Sequence, residues 1–254
     1  MNNHQKNSWS KIPELTLLFW IMKITATTLG ETGGDLLAQT LQIGYGTSTI
    51  VFFAFFLVMV TCQLLVKKYI PVIFWAVIVA TSTAGTTMSD YMDRTLGLGY
   101  AMGSLILVSI LILTLIVWRL TEKTLSVTEI KSFRGEAFYW TAILFSNTLG
   151  TALGDFLADN SGLGFGGSAL LITAVLLLIV LAYYFTSFSR VVLFWIAFVL
   201  TRPFGATFGD LLTKKQEQGG LEYGTWGASL ILFGLLIVLI VYETIKLKRQ
   251  PAIA

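Results

Sequence analysis

Four aspartates recur in one setting. Asp35, Asp90, Asp155 and Asp210 each stand fifteen residues after a tryptophan (Trp20, Trp75, Trp140, Trp195), and a glycine stands ten residues after each tryptophan (Gly30, Gly85, Gly150, Gly205). An α-helix turns about 100° per residue, so offsets of +7, +11 and +15 from the tryptophan fall on one face. The +7 layer reads Thr27, Ser82, Asn147 and Arg202, the +11 layer Glu31, Thr86, Thr151 and Ala206, and the +15 layer is the four aspartates. Eleven of these twelve side chains are polar. Hard carboxylate and hydroxyl oxygens suit a proton relay, Na⁺ or a hard divalent ion such as Mg²⁺ or Mn²⁺, whereas soft metals want thiols, thioethers or imidazoles. Within the stripe and its helices, five carboxylates face only Lys23 and Arg202. That excess favours cations over anions and leaves the identity of any metal open.

These residues need elements to hold them, and composition says which. Hydrophobic residues make up 55% of the 254-residue chain and charged residues 12%, with a mean hydropathy of +0.77, against roughly 45–50% and about 25% in soluble domains. The expected class is an all-α membrane protein, which excludes a soluble enzyme. A lone cysteine, Cys62, and a lone histidine, His4, permit neither a disulfide framework nor a Cys/His zinc site. There is no phosphate-binding loop or dinucleotide fingerprint, so no cofactor is expected. The basic residues lie at the ends of apolar runs rather than in one patch, which argues against nucleic acid and for membrane lipid as the partner.

Eight apolar runs of about the 20 residues a span requires lie near Glu14–Ala38, Thr47–Val66, Pro71–Met92, Met102–Trp118, Phe138–Ala158, Gly167–Phe185, Val191–Leu212 and Tyr223–Tyr242. The tail before the first, with Lys6 and Lys11, lacks a small-residue cleavage site and is not expected to be a removable signal. With the N-terminus inside, twelve of the seventeen Lys and Arg fall on the cytoplasmic side. Only Arg94, Lys214 and Lys215 fall outside, where they read as solvated loop charges. The positive-inside rule then places both termini in the cytoplasm of a multi-pass bacterial inner-membrane protein.

The tryptophan spacings are 55, 65 and 55, so the chain reads as a duplicated pair of two-helix units. The extra residues lie in the linker TEKTLSVTEIKSFRGE. Each unit holds an odd-numbered helix with the motif, a glycine-rich turn and an even-numbered helix, giving repeats over 12–66, 67–121, 132–186 and 187–249 of one membrane domain. An even number of spans per unit inserts all four in the same direction. Four parallel hairpins can be related about the membrane normal, unlike the inverted repeats of many transporters. The aromatic-Trp start (Phe19-Trp20, Phe74-Trp75, Tyr139-Trp140, Phe194-Trp195) and the endings ETGGD, LGD and FGD resemble a bacterial integral membrane family of tandem two-span repeats of unknown function, each with a characteristic Trp. The resemblance spans residues 12–245 and implies the architecture but no activity. Copy two departs from it with Ser89 before the aspartate, and copy three with Ala152 where the others have Thr32, Thr87 and Thr207.

Several expectations follow. The tryptophans anchor the helices at the membrane interface, and the glycines permit close packing. Asp35, Asp90, Asp155, Asp210, Glu31, Thr27, Ser82, Asn147, Thr86 and Thr151 line a cation pathway, because ionisable groups at membrane depth turn toward a bundle interior or wet cavity. A closed ring would set the seventh span against the first and pair Arg202 with Glu31, with Lys23 a weaker rival for that carboxylate. The expected function is a cation transporter or permease. The alternative is a sensor or assembly partner whose polar stripe only holds helices together. An intramembrane aspartyl protease would need just two facing aspartates, and four copies argue against it.

Overall fold

A computed structural model describes residues 11–130 and 132–249, so His4, Lys6 and Lys131 lie outside the described residues. Eight long helices follow one another: α1 (Leu17–Asp35), α2 (Tyr45–Leu65), α3 (Pro71–Asp90), α4 (Gly99–Glu122), α5 (Phe133–Asp155), α6 (Gly164–Phe185), α7 (Arg190–Thr213) and α8 (Gly224–Arg249). No strand occurs among the described residues. Local chemistry sets the ends. Pro71 opens α3, where a missing N–H costs nothing, and the Ser132 hydroxyl caps α5 by accepting from Gly135 N at 2.8 Å. The α2, α4, α6 and α8 helices each begin at or just after a glycine with positive φ, Gly44, Gly99, Gly164 or Gly224, a backbone conformation that side chains disfavour. After Asp35, Asp90 and Asp155 the chain makes one π-helical turn (Leu36–Thr40, Tyr91–Thr95, Phe156–Asn160), whereas α7 continues past Asp210 to Thr213.

The odd helices pack in a closed cycle: α1 on α3, α3 on α5, α5 on α7 and α7 back on α1. Each even helix leans on the outside of the next odd helix: α2 on α3, α4 on α5, α6 on α7, and α8 on α1. The glycines explain the cycle. A Cβ on Gly30 would overlap Ser82, one on Gly85 would stand 2.9 Å from Thr148 N, one on Gly150 would overlap Arg202, and one on Gly205 would stand 2.6 Å from Thr27 Oγ1. The +10 glycine of each copy thus receives the +7 region of the next copy, and the last receives the first. One turn later Gly34 receives Thr86, Gly154 receives Ala206 and Gly209 receives Glu31. This is small-xxx-small packing, in which a missing side chain lets two backbones approach.

Among the described residues, six helices are long and apolar enough to cross a membrane: α2, α3 with its π turn, α4, α6, α7 and α8. The expectation of eight such runs is met for six. The two that fall short, α1 and α5, carry Lys23, Glu31 and Asp35, and Arg134, Glu136 and Asp155. The α1 helix packs against α3, α7 and α8, and α5 against α3, α4 and α7, so most of their surface faces protein and need not be apolar. The even helices show the opposite pattern, with Leu, Ile, Val and Phe exposed along most of their length.

The motif tryptophans turn toward one another rather than outward as interfacial anchors would. Trp75, Trp140 and Trp195 are buried and Trp20 is half-buried. With their preceding aromatics they form a closed cycle of rings: Trp20 to Phe194 (5.9 Å), Trp195 to Tyr139 (6.5 Å), Trp140 to Phe74 (5.5 Å) and Trp75 to Phe19 (5.7 Å) between helices. Within each pair the centroids lie 5.0 to 5.5 Å apart. Aromatic pairs at such distances add about 0.5–1.5 kcal/mol each beyond area burial, and the tilted and edge-to-face contacts between helices reward turning the indoles inward.

Candidate functional site

The stripe deduced from the repeat lies inside the cycle of odd helices. Thr27, Ser82, Asn147, Thr86, Thr151 and Arg202 are fully buried, and Glu31, Asp35, Asp90, Asp155 and Asp210 are nearly so. In the middle layer the two N–H groups of Arg202 Nη2 are shared among three acceptors, Glu31 Oε2 at 2.9 Å, Thr151 Oγ1 at 2.6 Å and Thr86 Oγ1. One guanidinium nitrogen therefore joins all four copies. Thr86 Oγ1 is also 3.3 Å from Glu31 Oε2. Asn147 Nδ2 donates to Thr81 Oγ1 and Ser82 Oγ at 2.9 and 3.3 Å. Lys23 does not compete for Glu31: its ammonium donates to Asn147 Oδ1 at 3.3 Å and lies 4.1 Å from the centre of the Phe198 ring. Thr27 bonds to backbone carbonyls, Lys23 O and Ile24 O on its own helix and Thr201 O on α7 at 3.2 Å.

The aspartate layer contains the largest departure from the sequence reading. Arg94 and Lys214 are not solvated loop charges. Arg94 lies 3.0 Å from Asp90 Oδ1 and 2.9 Å from Asp155 Oδ2, and Lys214 lies 3.2 Å from Asp210 Oδ1 and 2.6 Å from Asp35 Oδ2. Each cation stands four residues after the aspartate of its own copy and reaches to that of the next. Four carboxylates at the C-terminal ends of helices oppose the macrodipole and are costly to bury unpaired, which is the force that draws these two side chains in. At Lys214, burial lowers the ammonium's pKa, but Asp210 and Asp35 outweigh it and hold the group well above its ordinary range. The equivalent positions in copies one and three are Gln39, whose amide donates to Asp35 Oδ1, and Asp159, which accepts from Tyr100 Oη at 3.2 Å. The signal was in the sequence as a fixed +4 offset, and a reading of loop charge by side alone passes over it. The five carboxylates of the stripe now face four cations, Lys23, Arg202, Arg94 and Lys214, a smaller anionic excess than the spans alone suggest.

One place concentrates acidic oxygens. Ligand atoms of Glu31, Asp35 and Asp210 lie within 4.8 Å of one another. Such a set is chemically suited to a hard cation, but Lys214 already reaches Asp35 and Asp210, and Arg202 holds Glu31. Asp90 and Asp155 lie across the ring with Arg94.

Neither a curated protein nor a solved structure matches the chain. The family model described as Repeat of Unknown Function (DUF347) matches it four times in tandem, over residues 18–69, 73–124, 138–189 and 193–246. Every match begins within two residues of an aromatic-Trp pair and takes in the motif glycine, the aspartate and the following even helix. Four such matches cover most of the sequence, and the chain belongs to that repeat family.

Proposed function

We propose that the protein is a gated membrane transporter for a small hard cation, a proton, Na⁺ or a divalent ion, and that the structure is its closed state. All eight helices span the membrane in this reading. The two polar ones, α1 and α5, are carried across inside the bundle, and the four parallel hairpins are related by pseudo-symmetry about the membrane normal. The positive-inside rule then sets the aromatic ring toward the cytoplasm of a bacterial inner membrane, with both termini on that side.

The observation that carries the reading is Lys214 seated among Asp35, Asp210 and their neighbour Glu31. A tethered ammonium occupies the position where an inorganic cation would find three carboxylates. Its side chain is 17% exposed and hangs from the residue just past the end of α7. Exchange of the ammonium for a cation therefore requires only a side-chain swing at that end. Arg202 below it and the aromatic ring at the far end keep the axis shut, which favours gated movement over an open pore. Polar groups buried at this density cost stability unless paired, and the pairing found here is by side chains that a cation can replace.

Flux in proteoliposomes tests this. The purified protein should move one of H⁺, Na⁺, Mg²⁺ or Mn²⁺ down an imposed gradient, and Asp35→Asn with Asp210→Asn should abolish the movement without preventing insertion. Wild-type flux in the Asn variants would remove the two aspartates from the pathway, and no flux of any of these ions would favour the second reading, in which the chain is a sensor or assembly partner. The specific observation behind that alternative is that each of the four aspartates already has a cationic side chain within 3.2 Å.

A further inference from the structure

A cavity of about 510 Å³ opens on the tryptophan end of the bundle, between the segment before α1, the end of α2, the α4–α5 linker and the first turns of α5. That is within the usual 300–1,000 Å³ of small-molecule sites. Four polar atoms on side chains lining it have no hydrogen-bond partner among the described residues: Gln63 Oε1, Glu136 Oε1, Tyr139 Oη and Trp140 Nε1. All four side chains are buried, Gln63 and Tyr139 almost completely. Orphaned buried polar groups cost roughly 1–3 kcal/mol each, so a cluster of four around one hollow points to something that fills it.

The same atoms are satisfied elsewhere in the aromatic ring. Trp75 Nε1 donates to Glu243 Oε2 at 2.9 Å, and Trp195 Nε1 donates to Leu125 O at 3.0 Å. Among the described residues, only at the cavity do a buried indole N–H and a ring hydroxyl lack partners, and these belong to one aromatic pair.

The chemistry of the lining narrows the occupant. Gln63 Oε1 and Glu136 Oε1 only accept, Trp140 Nε1 only donates, and Tyr139 Oη does both. Adjacent hydroxyls, which donate and accept at once, match that mixture. Among the described lining residues, Lys11 and Lys67 against Glu136 leave one net positive charge. Lys11 is engaged with Glu136 Oε2 (2.7 Å) and Leu64 O (3.0 Å), while Lys67 is exposed. A cationic ligand is disfavoured by that balance, and a purely anionic one by the two orphaned acceptors.

We propose that this cavity binds a glycerol phosphodiester, its hydroxyls meeting Gln63, Glu136, Tyr139 and Trp140 and its single negative charge lying toward Lys67. The same head can arrive as phosphatidylglycerol from the membrane or as a free glycerophosphodiester. This inference stands independently of whether the bundle transports cations.

The test uses the full chain in nanodiscs. For the free source, bis(glycerol) phosphate is titrated calorimetrically into protein in phosphatidylcholine discs. For the lipid source, discs with a minor fraction of phosphatidylglycerol or phosphatidylethanolamine are opened in native mass spectrometry and retained lipids are counted. Tyr139→Phe keeps the ring and removes the O–H, Trp140→Phe removes the N–H with a smaller aromatic ring in place of the indole, and Gln63→Leu serves if either lowers the melting temperature. Saturable binding of the free diester, or selective retention of phosphatidylglycerol, weakened about tenfold per variant (~1.4 kcal/mol) is the expected result, and which arm responds identifies the source. Binding unchanged in folded variants, no preference over phosphatidylcholine or phosphatidylethanolamine, or no binding in either arm overturns the proposal.

Discussion

Arg202 and Glu31 offer the sharpest test of the closed cycle, because they come from the last and first copies and meet only if α7 returns to α1. Arg202→Met leaves the Glu31 carboxylate buried with one weak donor, Thr86 Oγ1 at 3.3 Å. Removing one partner of a buried ion pair typically costs about 3–5 kcal/mol, and this site lies at the upper end because Arg202 also supplies hydrogen bonds to Thr86 and Thr151. Glu31→Gln keeps an acceptor in place and loses only the charge, so about 1.5–3 kcal/mol is expected, the range of a charged hydrogen bond. The double variant has no uncompensated charge in the pair, and its loss should fall short of the sum by about 2 kcal/mol or more. Reversible unfolding of the four proteins in mixed micelles, by denaturing-detergent titration followed by circular dichroism, measures all the terms. A coupling below about 0.5 kcal/mol, the range of independent sites, would refute both the pair's energetic role and the argument that these two charges sustain each other.

The glycine contacts predict a graded series. Gly30→Ala and Gly205→Ala should each destabilise by about 1–3 kcal/mol, as overpacking does, while Gly227→Ala in α8, where a Cβ meets nothing within 4 Å, should be neutral or slightly stabilising; equal effects in thermal melts would contradict the packing account. Reporter fusions at Gln39, Gly97, Ser161 and Glu217 should all report the outside, and a cytoplasmic signal from any one breaks the eight-span reading. Because Asp210 and Asp35 hold the Lys214 ammonium protonated, acetic anhydride at mildly alkaline pH should label Lys214 far more slowly than exposed Lys215. The sign follows from the raised pKa: the pair's stabilisation is complete below the ordinary lysine range and is lost only as pH rises past it. Asp35→Asn should speed that labelling, and equal rates for Lys214 and Lys215 in the wild type would show the pairing to be absent.

Much of this arrangement was legible because the constraint is periodic. The +10 glycine and +15 aspartate recur since each odd helix meets its neighbour in the same way, and one repeated contact writes itself into the sequence four times. Arg202 and Glu31 were readable for a different reason, as two long charged side chains at adjacent layers with no nearer partners. What the spacing did not carry was direction. An indole near the end of an apolar run looks the same whether it faces headgroups or seven other rings, and here the preceding aromatic decides, since Phe74, Tyr139 and Phe194 supply the partner surface. Arg94 and Lys214 were misplaced because a basic residue after a span is ordinarily solvated, and only three-dimensional proximity shows that each reaches two carboxylates. The spans α1 and α5 were overcounted as apolar runs for the converse reason, that protein on most sides permits Lys23 and Glu136 where lipid would not.

The two cations also show where the fourfold pattern breaks. Cationic +4 residues occur in copies two and four, and uncharged Gln39 and acidic Asp159 occupy copies one and three. Each cation spans from its own copy to the next, so the aspartates group as Asp90 with Asp155 and Asp210 with Asp35. Two cations suffice to brace four carboxylates, each cation bridging two neighbouring copies. The middle layer is less regular still. Arg202 occupies a position that is Thr27, Ser82 or Asn147 in the other copies, and Glu31 one that is Thr86, Thr151 or Ala206. A purely packing role would be served by any of those small side chains at every copy, as the glycines beside them show. Placing one additional carboxylate, Glu31, next to Asp35 and Asp210, and none of the +11 layer beside Asp90 and Asp155, makes the two halves of the ring electrostatically unequal. On the transport reading, the Glu31, Asp35 and Asp210 side is therefore where a cation would be exchanged, and Arg94 holds the opposite side fixed. Lys214→Met and Arg94→Met separate these roles: the first should alter ion movement with the bundle intact, and the second should lower its stability.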